Sequence, residues 1–243
     1  MRVDGRLHDQ LRQIKITPNI SEYAEGSALV EFGNTKVMCT ATYEPKAPQW
    51  LMGTGGGWVT AEYGMLPRST HTRIKRDKAA NSGRTQEISR LIGRSLRAAV
   101  DLKQLGEKQI IIDCDVLNAD GGTRTASVTG GFVALALALK KLHAVSEIKS
   151  LPLINYVSAI SVGLHEGHIF LDLNYDEDSA IGTDMNFVMT DKGAFVEVQG
   201  TAEHTPFTRD QLFKMMEVAE KGCRELFIHQ ASVMGEIYKI AGT

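Results

Sequence analysis

The sequence predicts an α+β fold because a strands-then-helices order occurs twice along the chain. Short strand patterns with turn residues precede two helix patterns, and the same order begins again after the connector at 149–156. We therefore expect two related halves with packed helices, 1–150 and 151–243, that meet near Leu151. With 243 residues, of which 43% are hydrophobic, the chain is long enough to bury a sizeable core.

The first half contains a predicted hairpin, a long loop, two helices and a buried strand. Residues 28–32 and 36–43 have strand patterns, and the Gly33 and Asn34 pair between them is typical of a tight turn. The glycine-rich, charged stretch 53–85 shows little periodicity, so we expect a long, partly mobile loop there. Apolar spacing then predicts a helix over 85–102, a buried strand over 107–117 and a helix over 125–142.

The second half contains two predicted hairpins and a final helix. The hairpins cover 157–175 and 184–200, with turns at Gly167 and Gly193. The helix extends from about 208 to 237. It begins with a capping-box pair, and apolar residues follow at helical spacing: Thr208 and Gln211, then Leu212, Met215, Met216, Ala219, Cys223 and Leu226.

Composition and cysteine usage limit the class of protein. The net charge of −2 makes the molecule as a whole a weak attractor of nucleic acid. Three widely spaced cysteines without a CxxC pair predict buried free thiols in a reducing compartment: Cys39, Cys114 and Cys223. The charged N-terminus resembles no signal peptide, and the longest apolar run, 132–139, is too short to span a bilayer. We expect a cytoplasmic, soluble protein with no membrane partner.

A basic segment between Arg68 and Arg97 breaks this near-neutral average. Nine basic residues are opposed only by Asp77 and Glu87, so the segment carries about +7 and the rest about −9. Such a stripe in an acidic protein favours a polyanionic partner. Three arginines in the predicted loop have three alternative roles: a solubilising tract, an arm that binds RNA, or a contact with a neighbouring subunit. They are Arg68, Arg73 and Arg76.

The predicted helix within this segment is amphipathic. Its apolar residues share one arc: Ile88, Leu91, Ile92, Leu96, Ala99 and Val100. Arg90, Arg94 and Arg97 share the opposite arc. Most charged helix faces are merely solvated, but a face with arginine alone favours phosphate binding, because the planar guanidinium matches phosphate geometry.

The stretch 119–131, "ADGGTRTASVTGG", joins the apolar strand to the second helix. Backbone N–H groups at a helix N-terminus form an anion site, and glycine allows close approach of the backbone. The neighbouring donors are Thr123, Arg124 and Thr125. The stretch lacks both the Walker and the GxGxxG signatures, and a plain glycine turn with a surface arginine is the alternative. A second such turn, "SGRT" with Arg84, favours two turns closing on one phosphate.

Clustered carboxylates follow in the second half: Asp172, Asp176, Glu177, Asp178 and Asp184. Their repulsion lowers stability unless a cation or proton binds, and an acidic surface loop is the alternative. Asp172 lies within a strand pattern and suggests a structural role, whereas Asp178 and Asp184 are candidates for metal binding or proton donation. The His165 and His168 pair on a hairpin does not favour a metal site. Together these features indicate phosphoryl or nucleotidyl transfer on a polyanion.

Several motifs closely resemble the bacterial ribonuclease PH family across the chain: "MRVDGRLHDQLR", "VTAEYGMLPRSTHTR", "SGRTQEISRLIGRSLRA", "IDCDVLNADGGTRTASVTG" and "LDLNYDEDSAIGTDMNFVMT". The resemblance implies a phosphorolytic 3′→5′ exoribonuclease that trims tRNA precursors and releases nucleoside diphosphates. It also implies a fold like ribosomal protein S5 domain 2, with two βαβ-rich halves and mixed sheets. The assembly it implies is a homohexamer, a trimer of dimers.

The resemblance also implies residue roles. The phosphate-site positions are Arg84, Gly122, Thr123 and Arg124. The acidic pair that would hold Mg²⁺ or donate a proton is Asp178 and Asp184. Arg90 and Arg97 match RNA-path or site-supporting arginines, and the loop arginines match positions linked to tRNA binding and ring assembly. A non-catalytic RNA-binding ring subunit and a metal-dependent hydrolytic nuclease are the alternatives.

Overall fold

Two β-sheets share the long third helix of the chain. The computed structural model describes residues 2, 4–76, 82–203 and 206–235. The first sheet has the order β1-β2-β3-β5-β4, in which β4 and β5 are parallel and the other pairs are antiparallel. Its strands are β1 (Ile14–Pro18), β2 (Gly26–Phe32), β3 (Thr35–Glu44), β4 (Trp58–Met65) and β5 (Gln109–Asn118).

The second sheet is antiparallel throughout, with the order β7-β6-β8-β9. Its strands are β6 (Val157–His165), β7 (His168–Leu171), β8 (Thr183–Thr190) and β9 (Phe195–Ala202). The helices are α1 (Gly83–Arg97), α2 (Leu102–Leu105), α3 (Thr123–Ala144), α4 (Tyr175–Ala180) and α5 (Arg209–Met234), with a 3₁₀ helix at Gln49–Leu51. The antiparallel pairs β2–β3, β6–β7 and β8–β9 confirm the three predicted hairpins.

The prediction of one long loop over 53–85 is wrong, because this stretch contains β4. Val59, Ala61 and Tyr63 point to the core, and Thr60 and Glu62 alternate with them. This alternation of buried and exposed residues is short, and the glycines on either side of it made the stretch look like a loop. Parallel pairing with β5 and cover by α1 stabilise the strand, and both are long-range interactions that local composition does not encode.

The first predicted helix, 85–102, ends about five residues earlier than expected, and a second, short helix begins where it was expected to end. α1 ends at Arg97, and Asp101 then caps the short α2 by accepting hydrogen bonds from the backbone N–H groups of Lys103 and Gln104. The predicted apolar arc is buried in full, while Arg90 and Arg94 are exposed. The amphipathic pattern thus correctly predicted which face of α1 packs, although it did not predict the break.

α3 is buried on nearly all sides and packs on β2 and β3 of the first sheet and on β6 of the second. Gly130 permits this closeness, since a Cβ there would lie 2.6 Å from Val30 Cγ1. The helix is long and apolar enough to cross a membrane by length and composition, but 83% of that window is buried inside the protein. It is the central core helix and contacts both sheets. The predicted division of the chain at residue 150 stays a prediction.

α5 begins as predicted, with both halves of the Thr208 and Gln211 capping box formed. It is described to Met234, so the predicted end near 237 lies outside the described residues. Its apolar stripe packs on β6, and all three cysteines are buried and free.

Candidate active site

The start of α3 has the geometry of an anion cradle. Gly121 and Gly122 both adopt left-handed backbone conformations, with φ of +73° and +66°, and Gly122 is the N-cap. The first intrahelical bond is donated by the Ala126 N–H to the Gly122 carbonyl at 3.0 Å. The N–H groups of the three residues before Ala126 therefore point out of the helix, where they and the helix dipole favour an anion.

The turn at residues 119–125, called the phosphate turn here after the site that the sequence predicts, lies directly against residues 172–184, the acidic segment. A Cβ on Gly121 would lie 2.5 Å from the Leu173 carbonyl oxygen and 2.6 Å from the Asn174 carbonyl carbon. The Tyr175 N–H donates to Asp120 Oδ1 at 3.2 Å. Asn174 caps α4 through a complete capping box with Glu177. The acidic helix thus begins in contact with the turn, which brings the two predicted halves of the site together.

The charges around Asp178 show that the predicted residues form one cluster. Asp178 lies on α4 and Asp184 is the second residue of β8. Although the Asp178 residue is exposed overall, desolvation raises the pKa of its carboxyl, and the charge of Asp184 raises it further. Three guanidinium groups act in the opposite direction: Arg84, Arg124 and Arg12. The two carboxylates therefore repel each other beside a group of cations.

Tyr63 is a site residue that the sequence did not predict. Its hydroxyl lies 2.9 Å from Thr123 Oγ1, which links β4 to the start of α3. Burial raises the pKa of Tyr63, and the hydrogen bond with Thr123 and the charges of Arg84 and Arg124 act against that shift. The alternating "WVTAEY" pattern of β4 was the available signal, and it was obscured by the interpretation as a loop.

Arg84 and Arg124 approach this cluster from two different helices. Arg84 is exposed in the first turn of α1, where Ser82 Oγ accepts a hydrogen bond from the Thr85 N–H at 3.1 Å. Arg124 is largely buried, and its Nη1 donates to Gln199 Oε1 at 2.5 Å. The same nitrogen lies 3.5 Å from Glu87 Oε1. Neither Gln199 nor Glu87 was predicted, because each belongs to an element distant in sequence.

The loop arginines are exposed and line cavities next to the cluster. Arg73 and Arg84 border a cavity of about 510 Å³ whose apolar lining includes Met65. A cavity of about 660 Å³ shares Tyr63 and Met65 with it and is bordered by Arg76 and Arg90. Arg68 lines a third cavity, of about 410 Å³. Residues 77–81 of the basic segment, with Asp77 and Lys78, lie outside the described residues.

The arginine face of α1 divides into different environments. Arg94 forms an ion pair with Glu197 at 2.8 Å. Arg97 lies over the Trp58 ring, 4.3 Å from its centroid, and donates to the Val59 carbonyl at 2.9 Å. Desolvation lowers the pKa of Arg97, and the charge of Arg94 adds to this shift. Arg97 therefore links α1 to β4 through these two contacts. Its RNA-binding role stays a prediction.

A metal ion at this site would depend on substrate oxygens. Among the described residues there is no group of three or more His, Cys, Asp or Glu side chains placed to hold a metal. Mg²⁺ at phosphates is commonly held by one or two carboxylates with waters and phosphate oxygens. The repelling pair of Asp178 and Asp184 fits that donor set.

Family models match the chain in two places. Domain 1 of the 3′ exoribonuclease family matches residues 10–141, and domain 2 of the same family matches residues 155–222. The chain belongs to the 3′ exoribonuclease family. Within that family it is 90% identical over 242 residues to Ribonuclease PH of Bdellovibrio bacteriovorus, a match that covers 100% of each chain. The resemblance seen in the motifs is confirmed.

Solved structures share the fold of this 3′ exoribonuclease family member. Rice Rrp46 is 18% identical, with a TM-score of 0.77 over 96% of this chain and 100% of its own. The Archaeoglobus fulgidus exosome with RNA bound to the active site is 22% identical, with a TM-score of 0.78 over 93% and 91%. An archaeal exosome core is 23% identical, with a TM-score of 0.74 over 96% of this chain and 90% of its own. The predicted α+β class, with two domains of this family, is confirmed.

Proposed function

We propose that the chain is a phosphate-dependent 3′→5′ exoribonuclease that trims the 3′ ends of tRNA precursors. It transfers the terminal nucleotide to inorganic phosphate and releases a nucleoside diphosphate. The observation that carries this proposal is the contact between the phosphate turn and the acidic helix. Gly121 packs against Asn174, so an anion bound at the start of α3 would lie next to the segment that carries Asp178 and Asp184.

The reaction needs positioning and charge compensation rather than a protein nucleophile. Phosphate held at the turn between Arg84 and Arg124 attacks the last phosphorus of the RNA. The new P–O bond forms as the P–O3′ bond breaks, and the shortened RNA leaves with a 3′ hydroxyl. A proton for that oxygen comes from the bound phosphate. Where no metal is bound, the Asp178 carboxyl is the alternative donor, because desolvation and the charge of Asp184 raise its pKa. Two phosphate anions repel, and the arginines and the helix dipole offset this repulsion.

Mg²⁺ bound by Asp178 and Asp184 would add positive charge at the scissile phosphate group. The support for this part of the proposal is electrostatic. Desolvation raises the pKa of Asp178, the charge of Asp184 raises it further, and a divalent cation would relieve the repulsion between the two carboxylates. Arg84 and Arg124 would hold the phosphate anion, so the cluster would bind a cation and an anion together.

RNA would approach the site across the basic surface. The proposed contacts are the loop arginines and the exposed face of α1: Arg68, Arg73, Arg76, Arg90 and Arg97. Their support is position, since Arg73 and Arg76 border cavities that reach Tyr63 beside the phosphate turn. We also propose a cytoplasmic homohexamer, a trimer of dimers. The support for this assembly is that the chain belongs to the family whose resemblance implies it.

A phosphate dropout assay tests the activity. The substrate is a tRNA with an extended 3′ end, and the products are separated as mono- and diphosphates. We expect shortening only with phosphate present, and nucleoside diphosphates as the product. Shortening without phosphate to give monophosphates would establish a hydrolytic nuclease instead. No cleavage in either buffer, with tRNA still bound, would favour a non-catalytic RNA-binding subunit.

Variants in the acidic segment and in the turn assign the roles. We expect Asp184→Asn to abolish turnover while tRNA binding persists, because it removes a proposed metal ligand. Asp176→Asn is the matched control, since Asp176 is an exposed carboxylate on α4 outside the charge cluster. Arg124→Ala should sharply raise the phosphate concentration needed for half-maximal rate. Normal turnover in Asp184→Asn, or unchanged phosphate dependence in Arg124→Ala, would remove that residue from the site.

A further inference from the structure

A buried ion pair connects the phosphate turn to the acidic segment. Arg12 is 6% exposed and Asp172 is fully buried. Arg12 Nη2 donates to Asp172 Oδ1 at 2.7 Å and Nε donates to Oδ2 at 3.1 Å. The backbone N–H of Arg12 adds a third bond to Oδ2 at 2.8 Å. Arg12, which lies 160 positions earlier in the chain, therefore contacts both oxygens of the carboxylate, and Arg6 Nη1 lies 3.7 Å from Oδ2.

The same guanidinium also holds the phosphate turn. Arg12 Nη1 donates to the Asp120 carbonyl at 2.5 Å, and Nη2 approaches the Gly121 carbonyl at 3.5 Å. A Cβ on Gly122 would lie 3.0 Å from Nη2, so the turn passes directly over this group. One planar fork thus contacts the turn on one side and Asp172 on the other.

Asp172 is placed to transmit this contact to the acidic helix. It adopts a left-handed backbone conformation, with φ of +55°, which is uncommon for residues other than glycine, asparagine and aspartate. Its N–H donates to the Ser161 carbonyl at 2.8 Å, and only Leu173 separates it from the N-cap of α4, Asn174. A fully buried carboxylate that ion-pairs at the junction of two site segments fixes where those segments lie.

We propose that Arg12 and Asp172 are positioning residues that fix the phosphate turn relative to the acidic helix, and so align the attacking phosphate with the scissile bond. This inference rests on the proposed phosphorolytic function. Neither side chain touches the reacting atoms. Their role is to hold the turn and the N-cap of α4 at one separation, in addition to the backbone contact at Gly121 and the hydrogen bond from the Tyr175 N–H to Asp120 Oδ1.

Arg12 also contributes a permanent positive charge to the site. Desolvation disfavours its charged form, but the adjacent carboxylate of Asp172 outweighs this and raises the pKa of Arg12. The charge in turn lowers the pKa of Asp178, after the larger effects of Arg84 and Arg124. Replacing Arg12 with lysine keeps this charge and removes the fork, because an ammonium group cannot satisfy the two turn carbonyls and both carboxylate oxygens together.

Arg12→Lys therefore separates alignment from charge. We expect kcat at saturating phosphate and RNA to fall by about 100-fold, the reduction that a misplacement of about 1 Å produces. The acidic limb of the pH–rate profile should stay where it is. Phe227→Leu is the matched control, because Phe227 lies in the core on α5 and its truncation lowers Tm without touching the turn. It should keep the parent kcat when assayed well below its Tm.

The outcomes separate this inference from the proposed function. If the parent protein shows no phosphorolysis, the proposed function fails first. If the parent is active and Arg12→Lys keeps a kcat similar to that of Phe227→Leu, the positioning role is wrong. Asp172→Asn, which retains the shape of the side chain, replaces Arg12→Lys if the latter gives no folded protein. A normal kcat in Asp172→Asn overturns the proposal, and a selective decrease of kcat at a modest decrease of Tm supports it.

Discussion

Gly121→Ala tests whether the contact between the phosphate turn and the acidic segment sets the activity. A methyl group at this position would lie 2.5 Å from the Leu173 carbonyl oxygen, and ordinary contact begins at 3.4 Å, so the two segments must separate by about 0.9 Å. The atoms in the way are backbone atoms, which cannot rotate aside. A misplacement of about 1 Å in an aligned site lowers the rate by about 100-fold, and we expect a reduction of that size in kcat/KM for phosphate.

Gly167→Ala is the matched control for this variant. Gly167 has a φ of +79°, similar to the +73° of Gly121, and nothing lies within 4 Å of a Cβ there. Gly167→Ala should lower Tm by about 2–8 °C, because a left-handed alanine costs about 1–2 kcal/mol, and Gly121→Ala should lower it further because the backbone clash adds to that cost. Calorimetry and phosphorolysis of a 3′-extended tRNA measure both quantities. Equal activity in the two variants would refute the idea that the turn and the acidic segment must touch for catalysis.

Three further predictions concern charge and packing. Asp184→Asn should raise Tm at neutral pH without metal. The raised pKa of Asp178 means that folding favours its neutral form, so this carboxyl reduces stability as pH rises through its folded-state pKa. The gain in Tm should therefore shrink in acid, and calorimetry across pH checks this. Arg97→Ala should lower the free energy of unfolding by about 1–2 kcal/mol in urea titrations, since it removes a cation–π interaction with the Trp58 ring and a hydrogen bond. Glutamine should replace the three loop arginines together: Arg68, Arg73 and Arg76. This variant should bind tRNA more weakly, and the slope of log K against log salt should fall by about 1 for each RNA phosphate that is no longer neutralised. An unaltered slope would leave these arginines no role in RNA binding.

Most elements could be predicted from sequence because their signals are local. The hairpins have alternating residues around glycine turns, and α5 has a capping box whose two partners are three residues apart. β4 was missed because its stability comes from parallel pairing with β5 about 50 residues later in the chain. The break after Arg97 was missed because apolar spacing continues through Val100 into the following turn.

The site could be predicted in its parts but not in its assembly. Local pattern indicated an anion turn near Gly122 and an acidic cluster near Asp178, and the family resemblance assigned their roles. No local pattern predicted that Gly121 would pack on Asn174 or that Arg12 would pair with Asp172. These contacts join residues that are far apart in sequence, and each depends on the common packing of both sheets against α3.

The dependence on α3 explains why one site requires both halves of the chain. The first half supplies the phosphate turn and the guanidinium groups of Arg84 and Arg124, which attract an anion. The second half supplies the carboxylates of Asp178 and Asp184, which repel each other and attract a cation. Either set alone would bind one ion without the opposite charge that the reaction needs beside it. Because α3 begins at the turn and then packs on both sheets, the fold that buries the core also fixes the two opposite charges at one place.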